Sequence, residues 1–499
     1  MEDKKIKKRN LWMFPLGTVG RDMVYNLVTG YLLTYVLLTR HLNAAQLGAI
    51  TAIMVAARIF DALNDPLMGN IIERTRTKWG KFKPWLVIGI LSTSVVIYLT
   101  FNVQLQGWPF VVFFGVMYFL YSITYTMHDI SYWGMVPALS SDPDTRNQYT
   151  SRANLFAGIG GTLAVSLIPL LTAGSQAIGG NAVTAYGVIA LVFAILGPAF
   201  LAFTIFGVKE QRSYDSEPVP PVSFKKIWNT ITGNDQLLWV SLAFIIQQIG
   251  NGIILSGIGS MYIYFDFGYE GGLFTLFQMF GMMITAFLMI FYPAISAKIN
   301  RKPLMNRLMV ISAIGYAVML LSGLTLKAQS VLVFGFSLKF ILITLGYMAA
   351  NFGQYGMYLI MMISIMNTVE YNEYKFGTRD EGIISSLRPF ITKLASAIYA
   401  AIASGTFLLC GVIQYTNEIS QLERDASAQL ITDAQKTSMI SDLLTNVTHG
   451  QTLGLLLCMT IPSCVLMFVA FLLYKKHYKL DEDEYNRICG ELEKRKAAK

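Results

Sequence analysis

The feature that most limits what this chain can become is a series of apolar stretches, each long enough to cross a bilayer and nearly free of charge. A helix needs about 20 apolar residues to span the hydrocarbon. Twelve stretches reach that length: 17–39, 46–68, 84–103, 109–138, 153–173, 183–207, 237–266, 271–296, 305–327, 331–366, 383–413 and 450–474. Several run longer, which predicts tilt or extension beyond the bilayer. Of 499 residues, 54% are hydrophobic and 14% charged, against roughly a quarter charged in an ordinary globular chain. Length alone would allow two or more soluble domains, but charges this few and this clustered do not.

Net charge is +9, a value that in a soluble protein raises nucleic acid as a partner. Position explains it better here. Basic residues gather in Lys4–Arg9, Arg74–Lys83, Lys298–Arg307 and Lys475–Lys499, while the connections 102–108 and 174–182 have none. That alternation follows the positive-inside rule and predicts a multi-pass protein of the cell membrane with both termini cytoplasmic. No nucleic-acid partner is expected. Cys410, Cys458, Cys464 and Cys489 lack CxxC spacing and three lie in apolar stretches, so neither a disulfide framework nor a metal centre is expected. The N-terminus is too polar for a cleavable signal peptide, and its basic residues read as the flank of the first span.

Residues 208–236 are polar and contain Ser216-Glu217-Pro218-Val219-Pro220-Pro221-Val222. A charged, proline-rich link at this point predicts a cytoplasmic join between an N-terminal six-helix bundle, 1–207, and a C-terminal one, 237–474. Paired halves with nested repeats are a common plan of secondary transporters. Before the last span, residues 414–449 form a long extracytoplasmic loop in which 418–444 read as one amphipathic helix, with a disordered loop as the alternative. The cytoplasmic tail 475–499 alternates acids and bases from Asp481 onward, the pattern of a solvated helix. Gly158, Gly160 and Gly161 open the fifth span and read as packing residues, because small side chains let membrane helices approach closely. A phosphate loop is missing: Gly80-Lys81 continues as Phe82-Lys83, which argues against an ATP-driven pump.

Placing a charge at the bilayer centre costs roughly 2.5–3.5 kcal/mol even on a lenient scale. This chain does so repeatedly, with Arg21 and Asp22 in the first span, Arg58, Asp61 and Asp65 in the second, Asp129 in the fourth, and Arg388 and Lys393 in the eleventh. Lys339 can snorkel outward and is set aside. In Arg58-Ile59-Phe60-Asp61-Ala62-Leu63-Asn64-Asp65-Pro66, the two carboxylates stand at i and i+4, on one helical face. In low dielectric both cannot stay ionised without compensation. A bound proton, a sodium ion or a neighbouring base could supply it. Arg58, one turn away, can offset one acid by a structural salt bridge but not both. Asp61, Asn64 and Asp65 offer oxygens suited to a small hard cation, and Pro66 cannot donate to the Ala62 carbonyl, which frees another.

The fourth span carries Tyr125-Thr126-Met127-His128-Asp129-Ile130-Ser131-Tyr132-Trp133. Asp129 and Trp133 share a face, with Tyr125 one turn back. A carboxylate accepts hydrogen bonds from sugar hydroxyls while an indole covers the apolar C–H face. An interfacial aromatic belt is the plain alternative for Trp133. His128 reads as a polar neighbour rather than a ligand. Asp22 with Arg21 supplies a second acid and a donor from another helix. These charges point to a carrier of a small polar solute.

With Gly20-Arg21-Asp22, Ala57 to Pro66, Arg74 to Trp85, Asp129 to Trp133, and Glu370-Tyr371-Asn372-Glu373-Tyr374-Lys375, the sequence resembles the melibiose-permease type of glycoside–pentoside–hexuronide:cation symporter, within the major facilitator superfamily. The resemblance covers nearly the whole chain. It implies a cation site at Asp61, Asn64, Asp65 and Thr126, for sodium or a proton. It implies a sugar site at Arg21, Asp22, Tyr125, Asp129, Trp133 and Arg152. Lys393 matches a lysine lying close to both and, with Arg58, is expected to couple them; Arg74–Lys83 resembles a cytoplasmic latch. Three positions depart. Leu38-Thr39-Arg40 stands where Tyr-Thr-Asp is usual, Asn367 where Asp is common, and Arg388-Pro389 where the family has uncharged polar residues near the sugar. An Arg388 that faces the cavity favours an acidic sugar; one that faces a neighbouring helix does not.

The expectation is therefore an all-α membrane protein of twelve transmembrane helices in two six-helix bundles, the major facilitator fold. It takes up a glycoside, pentoside or hexuronide with a sodium ion or a proton by alternating access. It has no cofactor, the lipid bilayer as its surroundings, and acts as a monomer. Two other readings stay open on the same fold: a carrier of lysolipid or another amphiphile, and an uncoupled sugar facilitator. An enzyme is not expected, because no nucleophile–base or metal constellation is present among so few histidines.

Overall fold

The computed structural model describes residues 2–140, 142–209, 224–328 and 331–497. The Ser216–Val222 link lies outside the described residues. In chain order the helices are α1 (Glu2–Thr39), α2 (Ala44–Arg74), α3 (Lys83–Asn102), α4 (Gly107–Gly134), α5 (Pro143–Thr172), α6 (Ala182–Gly207), α7 (Phe224–Gly233), α8 (Asp235–Ile253) and α9 (Gly259–Phe267). They continue as α10 (Gly271–Ser296), α11 (Arg301–Thr325), α12 (Leu338–Phe376), α13 (Glu381–Leu409), α14 (Ile413–Ser427), α15 (Asp433–Thr445), α16 (His449–His477) and α17 (Glu482–Ala497). Among the described residues, ten stretches are long and apolar enough to cross a membrane. The still longer α1 and α12 are interrupted by polar residues, and with them the count is consistent with twelve spans. The chain is a multi-pass membrane protein.

Packing divides the described residues into two compact units. The first holds 2–209 with Gly268–Thr275 and Gly411–Val447; the second holds 224–267, 276–410 and 448–497. In the first, Phe14, Leu86, Ile90, Tyr132 and Tyr149 lie in the core. In the second, Phe244, Met305, Met357, Ile360 and Tyr474 do so. Polarity is partly inverted relative to a soluble protein. Thr18, Arg21, Asp61 and His128 are buried, while Ile59, Ile88, Val95, Val112 and Val116 face outward. Such an outer surface suits hydrocarbon, where polar groups must be satisfied from within.

Three segments differ from their sequence expectation. Residues 332–337 begin the tenth span not as helix but as a two-stranded hairpin, β1 (Leu332–Val333) with β2 (Phe336–Ser337), paired Leu332↔Ser337 and Val333↔Phe336. Its turn residues Phe334 and Gly335 have φ of 52° and 82°, the two positive values a tight hairpin turn requires. Helix begins only after Ser337, whose side chain caps it. Residues 418–444 are two helices rather than one. The chain reverses at Gln429, φ 60°, and Thr432 with Gln435 forms a capping box that opens α15. The tail is not merely solvated: Ile488 and Leu492 of α17 are buried in the second unit, and Glu482 pairs with Arg301 at 2.8 Å.

The α14–α15 hairpin is inserted between α13 and α16 of the second unit in sequence, yet packs with the first. Asn417 exchanges two 2.8 Å hydrogen bonds with the Leu42 backbone beyond α1. Glu423 accepts from the Ala182 N–H at 2.6 Å, at the start of α6. Lys436 of α15 lies 3.5 Å from the same carboxylate, and both side chains are 0% exposed. Burial raises the Glu423 carboxyl's pKa, against the pull of the Lys436 ammonium. Removing one partner of a buried pair leaves the other charge unanswered, at about 3–5 kcal/mol. Lys436→Met is therefore expected to lower the melting temperature and expose the hairpin to protease, and Lys436→Met with Glu423→Gln, which removes the charge but keeps an acceptor for Ala182, to recover most of the loss. Thermal unfolding and limited proteolysis of the purified protein measure both.

Candidate functional site

The polar residues of the first unit are positioned by close helix packing around α1. A Cβ at Gly160 of α5 would meet the Val19 carbonyl at 2.2 Å, and one at Gly20 the Leu196 carbonyl of α6 at 2.5 Å. Of the three glycines opening the fifth span, Gly160 is the one that makes a backbone approach; at Gly158 nothing stands within 4 Å. These contacts fix Arg21 and Asp22, which follow Gly20 directly.

Arg21 then joins two helices. Its Nη1 donates to Asp129 Oδ1 of α4 at 2.8 Å, and its Nη2 to Asp22 Oδ2 at 3.0 Å. The guanidinium lies over the rings of Tyr132 and Trp133, 4.9 and 5.1 Å from their centroids. Arg21 is buried, whereas Asp22 keeps 19% and Asp129 31% of its side chain exposed. Both acids thus keep part of their surface exposed beside Arg21. Tyr125 packs against Tyr25 and His128, with ring centroids 5.5 and 4.6 Å away. Arg21, Asp22, Tyr125, Asp129 and Trp133 form one cluster. Arg152, expected beside them, is turned elsewhere: its guanidinium donates to the Leu11 carbonyl at 3.4 Å and lies over the Trp12 ring.

A second arrangement links α2 and α4. Thr126 Oγ1 donates to Asp65 Oδ1 at 3.1 Å, and the Ser122 hydroxyl donates to Asp61 Oδ1. Both carboxylates stand at i,i+4 on α2 and both hydroxyls at i,i+4 on α4, so the contacts make two rungs about one turn apart. Arg58 Nη1 reaches Asp61 Oδ2 at 3.3 Å, the structural salt bridge expected for one of the acids. Asn64 Nδ2 is buried without a hydrogen-bond partner among the described residues.

Ser122 was not singled out from the sequence. Its signal was available: it precedes Thr126 by the spacing that separates Asp61 from Asp65. At 3.6 residues per turn, Ser122, Tyr125, Thr126, Asp129 and Trp133 fall within an arc of about 100° on α4. One helical face therefore carries both clusters. His128 lies on another face, fully buried, with neither ring nitrogen hydrogen-bonded among the described residues.

Arg388 and Lys393 belong to α13 in the second unit. Arg388 Nη2 donates to the Tyr358 hydroxyl of α12 at 2.8 Å, so it engages a neighbouring helix of its own unit. Lys393 is partly buried five residues further along. Lys339 does not snorkel: it is buried 2.6 Å from Asp266, which also accepts from Tyr262 at 2.9 Å. In place of the usual acid, Arg40 donates to Val103 O at 3.0 Å and to Gln104 at 2.6 Å, tying the ends of α1 and α3 together.

A model of the family described as MFS/sugar transport protein matches residues 13–482. A lactose permease of Leuconostoc lactis is 28% identical over 421 residues, which are 80% of this chain and 62% of that protein. The chain thus spans about three fifths of the length of that permease. The raffinose carrier protein of Pediococcus pentosaceus is 26% identical over 97% of this chain and 71% of its own. The uncharacterized symporter YnaJ of Bacillus subtilis is 25% identical over 99% and 96%. Among solved structures, a variant of the nucleoside transporter NupG is similar with TM-score 0.62, 12% identity and coverage of 93% and 100%. A D-xylose–proton symporter is similar with TM-score 0.57, 10% identity and coverage of 90% and 99%. At those identities the likeness is one of fold.

Arg21 and Arg152, both expected at the sugar site, should differ sharply on replacement. Arg21→Gln removes the counter-charge of two acids and up to about 3–5 kcal/mol of stability, whereas Arg152→Gln removes one long hydrogen bond to a carbonyl and a contact with the Trp12 ring. Melting temperatures of the two purified variants measure the contrast; equal shifts would contradict the central place of Arg21.

Proposed function

Because the chain belongs to the MFS/sugar transport protein family, we propose that it takes up a neutral glycoside together with a monovalent cation, sodium or proton, by alternating access. The observation that carries this reading is the shared face of α4. Ser122 and Thr126 on that face contact the acids of α2, while Tyr125, Asp129 and Trp133 stand with Arg21 and Asp22 of α1. Asp61, Asn64, Asp65 and Thr126 are the proposed cation ligands. Asp22, Asp129 and Arg21 are the proposed partners of sugar hydroxyls, with Trp133 and Tyr125 covering the apolar face of the ring.

Cation binding between α2 and α4 settles the face that also presents Asp129 and Trp133. Coupling of this kind is reciprocal, so sugar raises cation affinity by the same factor. Relatives named for lactose and raffinose carry neutral sugars in their names, and the hydrogen bond from Arg388 to Tyr358 leaves no special reason for an acidic one. Arg152 is outside the proposed sugar contacts. Lys393 keeps its proposed coupling role from the family resemblance. We place the protein in the cell membrane with both termini cytoplasmic, from the distribution of its basic loops.

Uptake into membrane vesicles, with a panel of neutral glycosides and hexuronides and with sodium and proton gradients imposed separately, tests the whole reading. Accumulation of a neutral glycoside under one gradient is expected; flux that ignores both gradients and stops at equal concentrations would indicate a facilitator. Asp65→Asn should abolish gradient-driven accumulation yet retain some downhill exchange. Full gradient-driven uptake by that variant would remove Asp65 from the cation site. Asp129→Asn should lose binding of the transported glycoside in calorimetry, and an unchanged affinity would take Asp129 out of the sugar site.

A further inference from the structure

We infer that the Ser122 hydroxyl is a further direct ligand of a sodium ion held at the proposed cation site. The inference rests on the cation-site reading above and adds to it a residue and an ion.

Hydroxyls within apolar helices usually donate back to the carbonyl four residues earlier. Thr51, Thr100 and Thr124 all do so, to Leu47, Val96 and Leu120 at 2.7–2.9 Å. Ser122 does not. It donates across to Asp61 on α2, as Thr126 does to Asp65. Ser122 and Asp61 are 7% and 3% exposed, so this contact is made away from water. A hydroxyl that gives its one hydrogen to a carboxylate keeps its lone pairs for another electrophile. The two rungs therefore present four oxygens, from Asp61, Ser122, Asp65 and Thr126, and the Asn64 amide beside them on α2 carries a fifth. Small hard cations are held by such sets of oxygens from carboxylates, amides and hydroxyls.

The test uses the purified full-length protein with sodium alone, as binding of radiolabelled sodium without sugar. The wild type should bind sodium saturably. Ser122→Ala should weaken binding by about tenfold or more, and Ser122→Thr, which keeps the hydroxyl, should stay near the wild-type value. Melting temperatures accompany each variant, so that a folding defect is not read as a lost ligand. Sodium binding by Ser122→Ala equal to wild type would overturn the inference. So would equal weakening in Ser122→Ala and Ser122→Thr, which would mean packing rather than ligation, and so would a wild type that binds no sodium. Asp65→Asn, run alongside, reports on the site itself. If it binds sodium as wild type does, the cation-site reading fails whatever Ser122 does; if it alone loses binding, only the role of Ser122 is refuted.

Discussion

A charge within hydrocarbon has to be answered by another charge or by directed hydrogen bonds, and the first unit is organised by how it meets that demand. Arg21 cannot reach water, so it is held between Asp22 on its own helix and Asp129 on α4, under the rings of Tyr132 and Trp133. That contact links α1 to α4. Glycines at 20 and 160 let α1 sit close enough to α6 and α5 for the guanidinium to stay buried. The acids are not consumed in the process. Each gives part of its surface to Arg21 and keeps part exposed, and a site able to take sugar hydroxyls needs that division.

The same demand, met differently, shapes α2. Two carboxylates one turn apart would repel each other in low dielectric. Arg58 offsets one of them, and hydroxyls from α4 reach both. The result places α4 between two clusters of buried polar groups with residues of each on one face. A helix in that position has differential contacts with whatever occupies either cluster, which is the physical content of coupling between sites. No long relay is needed when residues 126 and 129 are neighbours on one turn.

The α14–α15 hairpin shows how far a local reading of charge can mislead. Residues 418–444 read as one amphipathic helix, but they form two, and between them Glu423 and Lys436 are the most deeply buried ion pair among the described residues. The break at Gln429 brings these two residues, thirteen apart in sequence, onto facing helices. The capping box at Thr432 was legible as a helix start, and with it the reversal could have been anticipated. Lys339 is a similar case. Snorkelling is reasonable for a lysine near a helix end, yet Asp266 from another helix offered a partner that the local sequence did not reveal.

Much of this protein was legible before any tertiary contact was known. The spans followed from stretch length, because a bilayer imposes one thickness on every crossing segment. The Asp61/Asp65 and Asp129/Trp133 pairs followed from helical periodicity, because i,i+4 spacing fixes a shared face whatever the surroundings. What the sequence could not decide was the partner across the gap. That Arg21 rather than Arg152 serves the acids, that Arg388 turns to Tyr358, and that Ser122 reaches Asp61 all depend on the distance and rotation between helices far apart in the chain. Periodicity determines which face a residue occupies; only the packing of one helix against another determines what that face meets.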